Sequence, residues 1–374
     1  MSDAQQILLT GFPSGLLARR VLAALLGSPA QPYVTCLTPP KQLEAAEQAL
    51  HELAPELRAR AQLVSGEPTA MDFGMAGKRF IELAARADVV HHCAFATYAG
   101  ARAASAARFN LDATNEVLEL CEQSARGCRL VMWSTTNVSG RLHGRIAEGE
   151  LPRPPGFANA IDESRYRAEQ AVREAMERVP TTILRPSIVV GDSRTGEIDR
   201  MEGPYLLILL MLSSPVDLRV PLPGRGDVPL NLVPIDYAVD AGVAIASDPR
   251  SVGRTFHLVD ENPPTARRVF ELIAEATGRP GPVGSLPSQL ATALLRTPGL
   301  ERFSQIPRTF LEQLATDVTY DARNTRELLA STGLHCPKAA GYLPVMVDYV
   351  RAQQQRKVKR TRRDSEEHTE DALD

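Results

Sequence analysis

The chain has 374 residues, 44% of them hydrophobic and 23% charged, with a formal net charge of −3. That balance suits a soluble globular protein and gives no whole-chain attraction to nucleic acid or to an anionic membrane surface. Five scattered cysteines without a C-x-x-C pair, a start (MSDAQQ) without a signal-like apolar stretch, and a longest apolar run of only residues 205–212 point to a reduced, cytoplasmic protein with no transmembrane segment.

Residues 7–9 form a short apolar strand that meets a Thr10-Gly11 turn and then a helical stripe at Leu17, Val21 and Leu25. Strand, tight turn and helix open a doubly wound α/β domain, whose first helix directs its N–H groups at a phosphate. Gly11 and Gly15 are the small residues of the turn, but Ser14 and Leu17 hold the positions where a pyrophosphate needs close approach, and Pro13 offers no N–H. A ligand-free β–α turn has the same outline. Further strands are expected at 33–37, 61–64, 88–92, 129–133 and 181–184. A helix is expected at 41–53, and another carries Ala103, Ala107, Leu111, Thr114, Val117, Leu118 and Cys121 on one stripe, with Asn110 among them. Such alternation implies a parallel sheet covered on both faces, with ligands beyond the strand C-termini.

After Pro186 the pattern loosens into a loop rich in glycine and charge (191–203), the apolar run 205–212 and a Pro/Gly-rich stretch. Residues 256–259 return one strand to the sheet, and helices are expected at 267–277, 287–295, 309–315, 326–331 and 342–352. The domains are therefore 1–190 with the returning strand, a mostly helical lobe over 191–354, and a charged tail over 355–374. The tail pairs RKVKRTRR with DSEEHTEDALD. It lacks apolar periodicity, so it reads as a disordered, self-compensating segment rather than a nucleic-acid or lipid contact.

LLTGFPSGLLARR, VVHHCA, FNLDATNEVLELC, WSTTNVSG, ANAIDESRYRAEQ, LRPSIVVGDSRTGE and LVPIDYAVDA, spread over residues 7–247, together with HLVD at 257–260, resemble the extended short-chain dehydrogenase/reductases. The likeness is greatest to their thioester-reductase and fatty acyl-reductase branch, the male-sterility type of NAD(P)-binding protein. The resemblance implies a Rossmann sheet with a C-terminal substrate lobe, and hydride transfer from a nicotinamide cofactor to a carbonyl or acyl thioester. In that family a Tyr donates a proton to the nascent alkoxide, a Lys four residues later lowers its pKa and grips the nicotinamide ribose, a Ser or Thr orients the carbonyl, and an Asn supports the geometry. Here Thr135 stands at the orienting position and Asn110 at the supporting one; a helix residue satisfied by a backbone group is the other reading of Asn110.

The family's N-x-Y-x-x-[ST]-K-x-x-A-E falls on Asn159, Ile161, Ser164, Arg165, Ala168 and Glu169. Ile161 thus occupies the Tyr position and Arg165 the Lys position. Tyr166 is no substitute, because five helix steps turn its side chain about 140° away from that of residue 161. Ile has no titratable proton, and Arg stays protonated, though it can hydrogen-bond a ribose, phosphate or carboxylate. Arg165 shares a stripe with Ile161, Ala168, Val172 and Ala175, and a structural salt bridge is its other reading.

The same resemblance places cofactor contacts at Thr10, Gly11, Ser14, Gly15, Leu16, Glu67, Ala94, Pro186 and Ser187. The second strand ends Leu37-Thr38-Pro39, with no acid for a ribose 2′-hydroxyl, so NADP is favoured over NAD. Arg19, Arg20 or Lys41 then meets the 2′-phosphate, unless these are merely a solvated helix face. Pro68 removes a backbone donor, Asp72 reads as a turn residue, and Asp236 as a helix N-cap. His91-His92 follows the family's H-x-A pattern, and no metal site is expected, since no third ligand is suitably spaced. Residues 205–212 suit an acyl-chain tunnel, a buried helix or a homodimer face. Three functions remain: a nucleotide-binding scaffold whose hydride chemistry is lost or altered, a working NADPH-dependent reductase of acyl thioesters or carbonyls with a substitute donor, and a nucleotide-sugar epimerase or dehydratase.

Overall fold

Seven of the apolar runs become strands of one parallel sheet, because strands covered on both faces need apolar residues at nearly every position. They are β1 (Gln6–Thr10), β2 (Tyr33–Thr38), β3 (Ala61–Ser65), β4 (Val89–His92), β5 (Arg129–Trp133), β6 (Thr181–Pro186) and β7 (Thr255–Leu258). Their order is β7-β6-β5-β4-β1-β2-β3, parallel throughout. The structure is a computed structural model that describes residues 4–96, 103–213, 222–223, 226–286, 314 and 316–370. The helices expected at 287–295 and 309–315 lie outside the described residues, apart from Leu314.

The helices are α1 (Leu16–Gly27), α2 (Leu43–His51), α3 (Gly77–Arg86), α4 (Ala103–Glu122) and α5 (Ala160–Ala175). They continue with α6 (Pro204–Ser213), α7 (Ile235–Ser247), α8 (Ala266–Thr277), α9 (Arg323–Leu329) and α10 (Ala339–Glu370). Alternate strand residues feed two cores. Leu9, Val34, Cys36, Val131, Trp133 and Leu184 pack with α1 and α7 on one face. Leu8, Leu37, Val90, Leu130, Met132 and Ile183 pack with α3, α4 and α5 on the other. Gly242 lets α7 lie directly on β5, since a Cβ there would stand 2.3 Å from the Trp133 ring.

The chain divides into two units. The first takes residues up to 189, 231–261 and 317–336, which hold the whole sheet with α1–α5, α7 and α9; the second takes 190–230, 262–316 and 337 onward. More of the C-terminal half than one returning strand therefore belongs with the sheet, because α7 supplies part of the cover on one face. In the second unit α6 packs on α8 and α10 and buries Tyr205, Leu207, Ile208, Leu210 and Met211, which accounts for its apolar run. Among the described residues no helix is long and apolar enough to cross a membrane.

Two local expectations need correction. Asp236 does not cap α7: Pro234 stands at the N-cap, and Asp236 lies in the first turn, where a carboxylate still faces the positive end of the helix. In place of an unstructured tail, α10 continues to Glu370. Its charged stretch is built from strong helix formers (Gln, Arg, Lys and Glu), so propensity extends a helix that its apolar first half anchors.

Candidate functional site

Counting outward, the sheet changes direction between β1 and β4, and the crevice beyond their C-termini is where a doubly wound fold binds ligands. Gly11, at φ 91°, opens this crevice. A Cβ there would stand 2.7 Å from the Cys93 carbonyl carbon and oxygen, so glycine alone lets the turn after β1 lie against the exit of β4. The Ser14 amide closes the turn on the Gly11 carbonyl at 3.0 Å. Gly15 stands at the N-cap of α1, where no side chain caps the helix and the space around the missing Cβ is open. That is a hollow fitted to a phosphate. The Ser14 hydroxyl donates to the Gln42 amide oxygen, tying the turn to the loop after β2. In that loop Lys41 is exposed, whereas Arg19 and Arg20 are engaged in interactions of their own.

Thr10, at the end of β1, lies opposite His92 on β4, and a chain of hydrogen bonds fixes both side chains. The Thr114 hydroxyl donates to the Asn110 carbonyl at 2.7 Å. It must therefore accept from His92 Nε2 at 3.1 Å, leaving Nδ1 to accept from the Thr10 hydroxyl at 2.9 Å. The Thr10 oxygen in turn accepts from the amides of Cys93 and Ala94, each at 3.2 Å. Both nitrogens of His92 are thus used inside the fold, and among the described residues no group of three or more potential metal ligands occurs. Thr10→Val orphans the buried Ala94 amide, the half-buried Cys93 amide and an imidazole nitrogen, and is expected to cost about 2–4 kcal/mol, read as a fall in the urea midpoint.

His91, His92 and His257 are each brought down from the usual 6.5 to about 3, first by burial and next by Arg129, Arg165 and Arg185 respectively. An unfolded chain takes up these protons below pH 6.5, and the folded chain does not until about pH 3. The stability they contribute is complete above 6.5 and lost as pH falls toward 3, with a slope of up to about 1.4 kcal/mol per pH unit for each histidine. Urea midpoints should accordingly drop between pH 7 and pH 5.

Asn159 caps α5, its side-chain oxygen accepting from the Asp162 amide at 2.9 Å. Two turns of this helix face the crevice side of the sheet. Ile161 and Arg165 are buried, at 6% and 8% exposure. The Arg165 Nη2 donates to the Trp133 carbonyl at 2.9 Å, and its guanidinium carbon lies 4.2 Å from the centre of the Phe95 ring. Among the described residues no carboxylate is within ion-pair distance of it, so the salt-bridge expectation is replaced by a carbonyl and an aromatic face. Asn110 accepts from the Ala96 amide (2.7 Å) and donates to the Ala96 carbonyl (3.2 Å) and to the Ser164 hydroxyl (2.9 Å). It therefore joins α4, the exit of β4 and α5. Thr135, half-buried two residues after Trp133, accepts from the Asn137 amide at 3.2 Å.

The structure thus brings Thr10, Gly11 and Ala94 into direct contact, and links Asn110 to the helix that carries Ile161 and Arg165. Glu67 stays exposed after β3, its amide donating to the Phe73 carbonyl at 2.9 Å. Asp72 and Phe73 take the positive φ values 53° and 54°. Pro186 ends β6, and the Ser187 hydroxyl donates to Asn231 at 2.9 Å.

Sequence reasoning missed the buried polar groups behind the site. Glu169, fully buried on α5, accepts from Arg185 (3.0 Å to Nε), Arg173 (3.0 Å) and Ser134 (2.6 Å). Burial alone pushes its carboxyl up, but the two guanidiniums and these hydrogen bonds outweigh it and hold the group below the ordinary carboxylate value. Glu148 accepts from the amides of His257 (2.9 Å) and Asn324 (2.6 Å) and from the Thr325 hydroxyl (2.9 Å), capping α9 from 176 residues away. Tyr320 lies in a strand paired with residues 144–146, its ring centre 5.5 Å from that of His257, and burial raises its phenol while the nearby Ser139 and Thr136 side chains oppose this.

With this geometry in place, a family model described as "Male sterility protein", an NAD-binding family, matches residues 9–242. The chain belongs to this family. Within the extended short-chain dehydrogenase/reductases, it is similar to glycine betaine reductase of Emericella nidulans (26% identical over 295 residues, 72% of this chain and 22% of that protein). It is also similar to a fatty acyl-CoA reductase of Drosophila melanogaster (24% identical; 53% of this chain, 43% of that protein). The chain therefore spans less than half the length of these curated relatives. Among solved structures, the terminal R domain of the myxalamid PKS-NRPS pathway superimposes with a TM-score of 0.79 at 25% identity, covering 94% of this chain and 92% of that one. UDP-glucuronic acid 4-epimerase of Bacillus cereus shares the fold, with a TM-score of 0.64 at 17% identity, covering 93% and 99%.

Proposed function

We propose that this family member binds a nicotinamide dinucleotide, NADP in preference to NAD, and that the hydride-transfer chemistry of the reductases is lost or altered in it. The observation that carries this reading is Ile161. It stands buried in the first turn of α5, where the resemblance puts the proton donor, and it has no exchangeable hydrogen. Arg165, one turn on, is no replacement: burial brings its pKa down only to about 10, so it holds its proton at neutral pH.

Support for cofactor binding comes from the turn after β1. Gly11, the uncapped start of α1 and the open space at Gly15 fit a diphosphate, which Thr10, Gly11, Ser14, Gly15 and Leu16 would hold. Glu67 and Ala94 would flank the adenosine half, and Pro186 and Ser187 the nicotinamide half. When bound, the dinucleotide supplies a hydride donor. The acid-free end of β2 and the exposed Lys41 favour a 2′-phosphate. Thr135 retains a hydroxyl able to orient a carbonyl, and Asn110 supports the helix opposite. The names of the relatives suggest an acyl thioester or a related small molecule as the ligand class.

A second reading, an active NADPH-dependent reductase, draws on one feature: the Tyr320 phenol is near enough to Thr136 and Ser139, on the loop that carries Thr135, for their side chains to act on its ionisation. The epimerase reading depends on the same absent Tyr and has no separate support. Fluorescence titration with NADPH, followed by an NADPH-oxidation assay with octanoyl-CoA, separates the first two. Binding without oxidation is expected. Oxidation that disappears in Tyr320→Phe would establish the second reading instead.

A further inference from the structure

Arg165 is a buried cation with most of its hydrogen-bonding capacity unused. Among the described residues only Nη2 has a hydrogen-bond partner, the Trp133 carbonyl, and Nε is buried with none. The carboxylates nearest in sequence are committed elsewhere. Asp162 accepts from Asn137 at 3.2 Å and from Asn159 at 2.8 Å, and Glu169 is held by Arg185, Arg173 and Ser134. His92 and Cys93, the other titratable groups near it, are uncharged in the fold because burial opposes ionisation of both. Asp162 and Glu169 act on the guanidinium from a distance, but among the described residues no carboxylate is hydrogen-bonded to it, the arrangement that ordinarily offsets a buried positive charge.

Its position says where that anion belongs. Nη2 touches the last residue of β5, and the guanidinium lies on Phe95, three residues past the end of β4. Arg165 therefore spans the C-terminal ends of two neighbouring strands, beside the crevice. Thr135, half-buried, follows the same end of β5. Ile161, one helical turn before Arg165, and Phe95 add apolar surface.

We propose that the end of the crevice beside Arg165 recognises a carboxylate, an organic acid on an apolar chain, held by the Arg165 guanidinium and the Thr135 hydroxyl, in place of a neutral carbonyl. The inference rests on the reading that the crevice is a ligand site whose proton donor is gone, and it adds the class of ligand. A planar fork of N–H donors matches a carboxylate far better than a thioester oxygen, and the absence of a proton donor at 161 is no handicap to binding an acid.

The test is calorimetric titration of the full chain with octanoate and with octanamide, which has the same chain length without the charge. Octanoate is expected to bind about tenfold or more tightly. In Arg165→Gln the preference should vanish, with the urea midpoint reporting whether the variant is folded. Arg165→Lys keeps the charge but not the fork; it covers the case in which Arg165→Gln fails to fold, and should lose most of the preference. Equal affinity for the two ligands, a preference that survives both variants, or no octanoate binding overturns the proposal. A protein that binds NADPH but not octanoate sinks this inference alone, whereas one that binds octanoate but not NADPH sinks only the dinucleotide reading.

Discussion

Glu169→Ala is expected to destabilise the chain by about 3–5 kcal/mol, the range found when one partner of a buried ion pair is removed. Glu169 and Arg185 are both fully buried, with 2.5 Å between Arg185 Nη2 and the carboxylate. Without it, Arg185 keeps, among the described residues, the 3.3 Å contact to His257 and a long one to the Glu150 carbonyl, and the cation remains buried. Loss of charge, rather than loss of packing, makes up most of the cost. Glu169→Gln should therefore fall close to Glu169→Ala in the urea midpoint, and Glu169→Met combined with Arg185→Leu should recover most of the loss. A double variant no better than the single one would show that packing dominates. The carboxylate also holds the Ser134 hydroxyl at 2.6 Å, one residue before Thr135. Glu169 is thus a positioning residue that ties α5 to the end of β5, and its loss should loosen the site as well as the fold.

Much of this architecture is legible in the sequence for a simple reason. Strands such as 129–133 (RLVMW) and 181–184 (TTIL) are sandwiched between two helical layers, so they need near-continuous apolar runs that stand out from their surroundings. The place of Ile161 and Arg165 on one face of α5 is equally legible, because helical spacing fixes it. What could not be read is which distant groups satisfy the inward polar residues. Nothing local to Glu148 announces that it will cap a helix 176 residues later, and Arg185 gives no sign of whether it meets Glu169 or solvent. Arg165 shows the same gap: its burial follows from the stripe it shares with Val172, but its Trp133 and Phe95 partners depend on how two strands and a helix converge. Asp236 lies two positions past the true cap: Asp is a common cap, whereas the chain uses the fixed φ of Pro234 to enter α7.

The double substitution Ile161→Tyr with Arg165→Lys is expected to create NADPH-dependent reduction of octanoyl-CoA, at least about 10²-fold above either single change, the lower end of what a positioned general acid contributes. Neither change suffices alone. A phenol at 161 beside Arg165 meets a cation already docked on Phe95 and the Trp133 carbonyl, while a lysine beside Ile161 has no proton donor to assist. The gain must therefore be strongly non-additive, and that pattern separates a restored acid–base pair from a general change in binding. The larger side chain at a position only 6% exposed should itself cost about 1–3 kcal/mol, so the urea midpoint and NADPH affinity of the double variant have to be measured beside its rate. If it folds, binds NADPH and still leaves the thioester untouched, the site lacks more than one pair of residues. The hydroxyl of Thr135 and the support of Asn110 would then have no claim to be remnants of a reductase centre.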